Sequence, residues 1–404
     1  MIRSLGGTLS RLGRGLRRRG GDRLDIAAMV TVPSERAAFE GLVAAFERAH
    51  PAVEVHLLLL HEDLYKASVG DWLRRGDFDI LTGLAGSALT ERAQAGLLAP
   101  LDGLWQERGL DAAFGPAAEA VRWRGRPWAL PLSLTGWQFY YRRSVFAGLG
   151  LSPPQDWDGL LAVLERLGGA GLTPLALGLR ERWPVGAWFD SLDLRVNGLA
   201  HHRALAGGGA PFDGPRVRTV LEHWNALRGT WGPDPLRLRL DQSVAELCSG
   251  GAGLAFLGSF AATMVWPELR GDIGCFPFPA IDPAAGRAEP AVCDVLVQPA
   301  AAAHPQAARR FLAFAARPEV QARYGAAQRK LCPHRAAPPP DDPLLQAQAA
   351  ALAAAEGLTP TIDLALPPAV GAGVVEALLG FVSGGDIDVT TAALQAARGG
   401  RAGA

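Results

Sequence analysis

The stretch that most constrains this chain runs from residue 122 to 146, RWRGRPWALPLSLTGWQFYYRRSVF. It opens on a charged turn around Gly125, and the alternation of Trp128, Leu130 and Leu132 then predicts a strand. The chain crosses Pro131 into a second predicted strand, where Trp137, Phe139 and Tyr141 face one way while Gln138 and Tyr140 face the other. Phe146 to Leu151 closes the stretch in a glycine-punctuated turn.

At 404 residues the chain exceeds one ordinary core and suits two lobes with a substantial buried interior. Its hydrophobic share of 49% and charged share of 20% describe a soluble globular protein. The formal net charge is zero, so no global basic field exists to attract nucleic acid. Lys66 and Lys330 are the only lysines against 38 arginines, which we read as codon bias in a GC-rich genome. Cys248, Cys275, Cys293 and Cys332 show no C-x-x-C spacing; they read as buried small hydrophobes, although an oxidising compartment would allow them to pair.

Residues 1–23 carry Arg3, Arg11, Arg14, Arg17, Arg18, Arg19 and Arg23 against one acid, Asp22. A secretory signal would place an apolar run after such charges, and glycines and arginines interrupt every candidate. No lipobox cysteine is present. The segment is expected to be a solvated, disordered basic tail, and nothing written in it argues for export.

From residue 24 a strand-like run (LDIAAMV) leads through Thr31 to Ser34, a good N-cap. Phe39, Leu42, Val43, Phe46 and Ala49 recur at helical spacing, the helix stops before Pro51, and Val53, Val55 and Leu57 alternate as a second strand. This predicts a β-α-β unit with parallel strands. Ligands usually sit on loops at the carboxyl ends of such strands, which points to Thr31, Ser34 and Glu35. Helices are expected over 343–356, 373–383 and 389–398.

The central stretch resembles the signature of the sugar-binding, maltose-binding-protein-like members of the extracellular solute-binding proteins of ABC importers. Gly125, Trp128, Leu130, Pro131, Ser133, Tyr140, Tyr141 and Phe146 match that signature, whereas Arg142 stands where the family usually has Asn. Further runs are similar to the family's: Phe46-Glu47 to Val55, Gly76 to Ile80, Gly171 to Gly178, Trp183 to Arg195, Asp241 to Ala261, Gly271 to Pro279 and Ala307 to Gln321. The resemblance spans about residues 24 to 397. It implies an α/β fold of periplasmic-binding-protein type II, two lobes of mixed sheet covered by helices and joined by hinge crossovers. One lobe would comprise 24–131 with 272–315, the other 132–271 with 316–404. The implied function is reversible binding of a carbohydrate in an interlobe cleft and delivery to an ABC transporter permease, with closure around the ligand as the mechanism. The implied location is periplasmic or extracellular, with a cytoplasmic role left open by the missing signal. A sugar sensor for a signalling partner and a glycoside-processing enzyme are the alternatives.

The residues themselves exclude several other chemistries. Neither lysine follows a glycine, so there is no phosphate-binding P-loop. Neither H-E-x-x-H nor G-x-S-x-G occurs, and Cys332 with His334 makes no zinc site. Asp190 and Asp193 are an acidic pair of the kind glycoside hydrolysis uses, provided they flank one bond. What stands out is aromatic supply, with 11 tryptophans. A sugar offers an apolar C–H face and a rim of hydroxyls, so its site wants flat rings and planar hydrogen-bonding groups. Pro184 and Gly186 suggest a loop, on which Trp183, Trp188 and Phe189 would be platforms. Asp190, Arg195, Asp79, Glu35 and Asp294 would serve the rim, with Trp137 at the boundary between lobes and Ser34, Ser259 and Phe260 completing the set. No catalytic residue, cofactor or metal is expected, and the protein is expected to act as a monomer.

Overall fold

The computed structural model describes residues 22–31 and 33–399. Residues 1–21 of the expected basic tail lie outside the described residues, while Asp22 and Arg23 open the first strand. The strands are β1 (Asp22–Met29), β2 (Val53–Leu60), β3 (Ile80–Leu84), β4 (Arg122–Trp123), β5 (Arg126–Pro127), β6 (Leu130–Arg142), β7 (Thr173–Ala176), β8 (Ala252–Gly258), β9 (Ile273–Phe276), β10 (Ala288–Val297) and β11 (Gly357–Thr359). The chain divides into two compact units. Unit 1 holds the described residues up to 133 with 293–328 and 332–338; unit 2 holds 134–292, 329–331 and 339 onward. The expected division is corrected in two places. Residues 272–292 belong to unit 2, because β9 pairs antiparallel with β6 and the start of β10 pairs with β11. Residues 316–328 belong to unit 1, where the helix Pro318–Gln328 lies against the helix Pro33–Ala49.

In unit 1, β1 runs parallel to β2, with Asp22 opposite Val53 and Met29 opposite Leu60. It also runs parallel to β3, and β3 pairs antiparallel with β10, placing Leu84 opposite Asp294. The helix Pro33–Ala49 turns Ala38, Phe39, Leu42, Val43 and Phe46 inward. Phe46 meets Phe311 and Phe314 edge-on at 5.1 and 5.6 Å. The helix Glu62–Arg75 ends at Gly76 with φ 66°, and a Cβ there would lie 2.1 Å from the Ala301 carbonyl oxygen, so only glycine fits.

β6 is a single strand, not two; its first residues, to Ser133, belong to unit 1 and the rest to unit 2. Pro131 sits within it, and its carbonyl accepts from Gln321 Nε2 at 2.7 Å inside unit 1. Trp137 to Tyr141 pair with Gly258 to Leu254 of β8, and β7 runs parallel to β8. Phe139, Phe256, Phe276, Phe278, Trp188 and Trp224 form the centre of the core. Phe139 stacks on Phe276 at 5.3 Å with ring planes 14° apart. Arg142, the departure from the family signature, donates to Asp272 Oδ2 at 2.8 Å and to the Cys248 carbonyl at 3.1 Å, tying the end of β6 to two neighbouring segments. The expected late helices appear as Pro343–Ala353, Pro368–Val382 and Ile387–Gly399. No helix among the described residues is long and apolar enough to cross a membrane.

Candidate functional site

In unit 2, three rings from separate elements meet. Trp137 comes from β6, Trp183 immediately precedes the helix Pro184–Val196, and Phe260 lies in the short helix Ser259–Thr263 that follows β8. Their centroids are 5.7 Å (Trp137–Trp183), 5.8 Å (Trp183–Phe260) and 6.0 Å (Trp137–Phe260) apart, all near edge-to-face. Trp137 is sealed while Trp183 keeps 40% of its surface exposed, so Trp183 is the outward ring of a supported group. Gly258 permits this arrangement: a Cβ there would lie 2.3 Å from Phe260 Cε1 and 2.9 Å from Thr135 Cγ2. Its carbonyl accepts from Tyr140 at 3.1 Å, and Tyr140 in turn accepts from Gln348 Nε2 at 2.6 Å. Burial raises the Tyr140 phenol well above its ordinary range, keeping it a donor. The Trp137 Nε1 and Ser259 Oγ atoms are buried with no hydrogen-bond partner. Arg182 reaches φ 68°, a left-handed backbone that sets the direction in which Trp183 leaves the turn.

The rest of the expected unit 2 set points inward. Residues 184–196 form a helix, not a loop, since proline at the first helical position starts helices. Gly186 allows close approach, because a Cβ would stand 3.3 Å from Asp363 Oδ1. Every residue from Pro184 to Arg195 is buried. Trp188 packs on Phe256 at 4.7 Å and on Phe139 at 5.8 Å, and Phe189 faces Phe212 at 6.3 Å. Neither ring is available as a sugar platform, because both faces are already covered by core side chains. Arg195 donates to the Phe278 carbonyl (3.0 Å), the Ala288 carbonyl (2.6 Å) and Glu289 Oε1 (2.6 Å), with 3% of each side chain of the pair exposed. It is a buried strut and not a rim donor.

Asp190 is likewise internal. Its Oδ2 accepts from the Ile362 N–H at 3.0 Å, and its Oδ1 lies 3.7 Å from His202 Nε2. Burial, reinforced by Asp363 and Asp193, pushes its carboxyl well above the usual carboxylate range. Asp193 meets His201 at 3.2 Å, His202 at 2.9 Å and Asn197 at 2.8 Å. Although burial opposes it, the hydrogen bonds from His201 and His202 lower this carboxyl to about 2. Both acids are fully buried, so they do not flank a substrate bond.

In unit 1, the carboxyl ends of β1 and β3 gather the polar groups. The helix at Pro33 begins one residue before Ser34, which is thus in its first turn and not its cap. Glu35 Oε2 accepts from the Thr31 N–H at 2.7 Å. Asp294, opposite Leu84 at the end of β3, accepts a short hydrogen bond from the buried Ser133 hydroxyl. Asp79 lies at the other end of β3, immediately before Ile80. It accepts from the Asp25 N–H at 2.9 Å and the His304 N–H at 2.7 Å and is 1% exposed. Its role is to join backbone segments within unit 1, at the opposite end of β3 from Asp294.

The four cysteines are unpaired. Burial pushes the thiols of Cys275 and Cys332 up to about 12 and about 11, which keeps them protonated.

The family model for bacterial extracellular solute-binding proteins matches residues 32–322. The chain belongs to that family. An uncharacterized ABC transporter extracellular-binding protein of Pyrococcus horikoshii is 26% identical over 341 residues, covering 80% of this chain and 74% of the relative. A probable sugar-binding periplasmic protein of Rhizobium meliloti is 22% identical over 182 residues, 44% of each chain. Among solved structures, the bacterial solute receptor AcbH, described by its exclusive preference for b-D-galactopyranose, superposes with a TM-score of 0.85 at 22% identity, covering 95% of this chain and 100% of its own. A chitin oligosaccharide binding protein gives 0.82 at 21% identity, covering 94% and 98%. At these identities the superpositions establish the fold, and it is the solute-receptor fold that the sequence resemblance implied.

Proposed function

We propose that this family member binds a carbohydrate reversibly and delivers it to the permease of an ABC importer, acting outside the cytoplasmic membrane as a monomer. The observation that carries the reading is Trp183: a large ring, 40% exposed, braced edge-on by Trp137 and Phe260. Exposing an indole to water is unfavourable unless a partner covers it, and the C–H face of a sugar is a suitable partner. Phe260, presented by Gly258, widens the apolar surface. In unit 1, Ser34, Glu35 and Asp294 offer oxygen groups of the kind that accept from sugar hydroxyls. The names of the relatives, as sugar-binding and ABC extracellular-binding proteins, support the same assignment.

A thermal-shift screen over mono-, di- and trisaccharides tests the reading. A ligand at 100 times its dissociation constant stabilises by about 2.7 kcal/mol. Trp183→Ala is expected to abolish the shift while the unliganded protein melts as before. If no sugar shifts the wild type, the carbohydrate assignment fails. If a sugar shifts wild type and variant equally, the assignment of Trp183 fails.

A further inference from the structure

We propose that unit 1 carries a binding site for a divalent transition-metal ion of the zinc class, formed by Asp25, Asp79 and His304, with His56 beside Asp25. The parallel register of β1 and β2 sets Asp25 directly beside His56 and Arg23 beside Glu54. Alternation along each strand places all four side chains on one face. Asp79 joins them from the turn before β3, and His304 from the residue that precedes the helix Pro305–Ala315.

One ligand atom each from Asp25, Asp79 and His304 falls within 4.8 Å of the others. His56 Nδ1 stands 3.6 Å from Asp25 Oδ1 and its Nε2 3.3 Å from Glu54 Oε1, so this imidazole flanks the group beside Asp25. Asp79 is held by the N–H groups of Asp25 and His304, and its Oδ2 is 3.0 Å from His304 Nδ1, which sets a carboxylate oxygen and an imidazole nitrogen side by side. One imidazole with two carboxylates is a mixed nitrogen and oxygen set. That favours zinc-class ions over calcium or magnesium, which prefer oxygen alone. His304 keeps 37% of its side chain exposed, so an ion can reach it and its ring can adjust. Coordination at ~2.0–2.2 Å requires the ligand atoms to draw together around the ion.

A cation already occupies part of this site. The Arg23 guanidinium donates to both oxygens of Asp25, at 2.7 Å each. An incoming ion would compete with Arg23 for that carboxylate, and Arg23 at 30% exposure can swing into solvent. The competition gives the site a signed signature that adventitious surface binding lacks: removing the arginine should strengthen binding.

The experiment is calorimetric titration of zinc chloride into the full chain, free of any histidine tag and stripped with chelator, alongside thermal melts. Expected are one saturable site, weakened at least tenfold by His304→Gln, and tightened several-fold by Arg23→Gln. Circular dichroism checks that each variant folds; Asp79 is left intact because it joins backbone segments. The proposal is overturned if zinc does not saturate, if His304→Gln binds as the wild type does, or if Arg23→Gln binds more weakly.

Discussion

Replacing Asp190 with Asn should stabilise the protein at neutral pH, by an amount that grows as the pH rises. Asp190 is fully buried, takes one hydrogen bond from the Ile362 N–H and is held well above the usual carboxylate range by burial, then by Asp363 and Asp193. A carboxyl whose folded pKa is raised contributes stability that is fully present below its unfolded value, about 3.9, and is lost as the pH climbs above it. While Asp190 stays protonated, folding takes up one proton, so stability falls by about 1.4 kcal/mol per pH unit from this group alone. Asn has the same shape, its oxygen can accept from Ile362, and its amide can donate toward His202 Nε2, which lies 3.7 Å from Asp190 Oδ1. It requires no proton. Between pH 5 and pH 7 the advantage of the variant should therefore grow by up to about 3 kcal/mol. Asp193, lowered to about 2, is ionised throughout that window and contributes no slope there. Urea unfolding of both proteins at pH 5, 6 and 7 measures the difference directly. A difference that stays constant with pH, or shrinks, would refute the claim that Asp190 is buried in its protonated form.

Trp188→Ala should cost about 3–5 kcal/mol in denaturant unfolding, because it empties a fully covered position among Phe139, Phe256 and Trp224. Glu289→Ala leaves Arg195 buried without its carboxylate and should cost about 3–5 kcal/mol by the same measurement. Arg124→Asn should raise the melting temperature, with a gain of up to about 1 kcal/mol, since Arg124 at φ 49° and Gly125 at φ 74° form the tight turn between β4 and β5 that favours Asn-Gly. Gly258→Ala should lower sugar affinity in calorimetry with the circular dichroism spectrum preserved, because the added Cβ drives Phe260 from its place.

The local elements were legible wherever one face of the chain meets solvent. The helix Pro33–Ala49 shows its buried face as a 3.6-residue rhythm, and the opening strand–helix–strand order follows from that rhythm and from the alternation in β2. The ring group of Trp137, Trp183 and Phe260 was half visible: all three residues stood out as candidates, but nothing local showed that they meet. The helix Pro184–Val196 was missed because it is buried all round, leaving no polar face to set a period.

What the amino-acid order determined by itself was the kind of fold, since periodicity, turn residues and family-like motifs are properties of neighbours along the chain. Which candidates face outward was decided only in three dimensions. Asp79 is engaged by His304, 225 residues away, and Asp190 by Ile362, 172 away. A carboxylate or an indole looks the same in sequence whether it awaits a ligand or closes a core. Partners brought from distant segments, and the water they exclude, settle which it is.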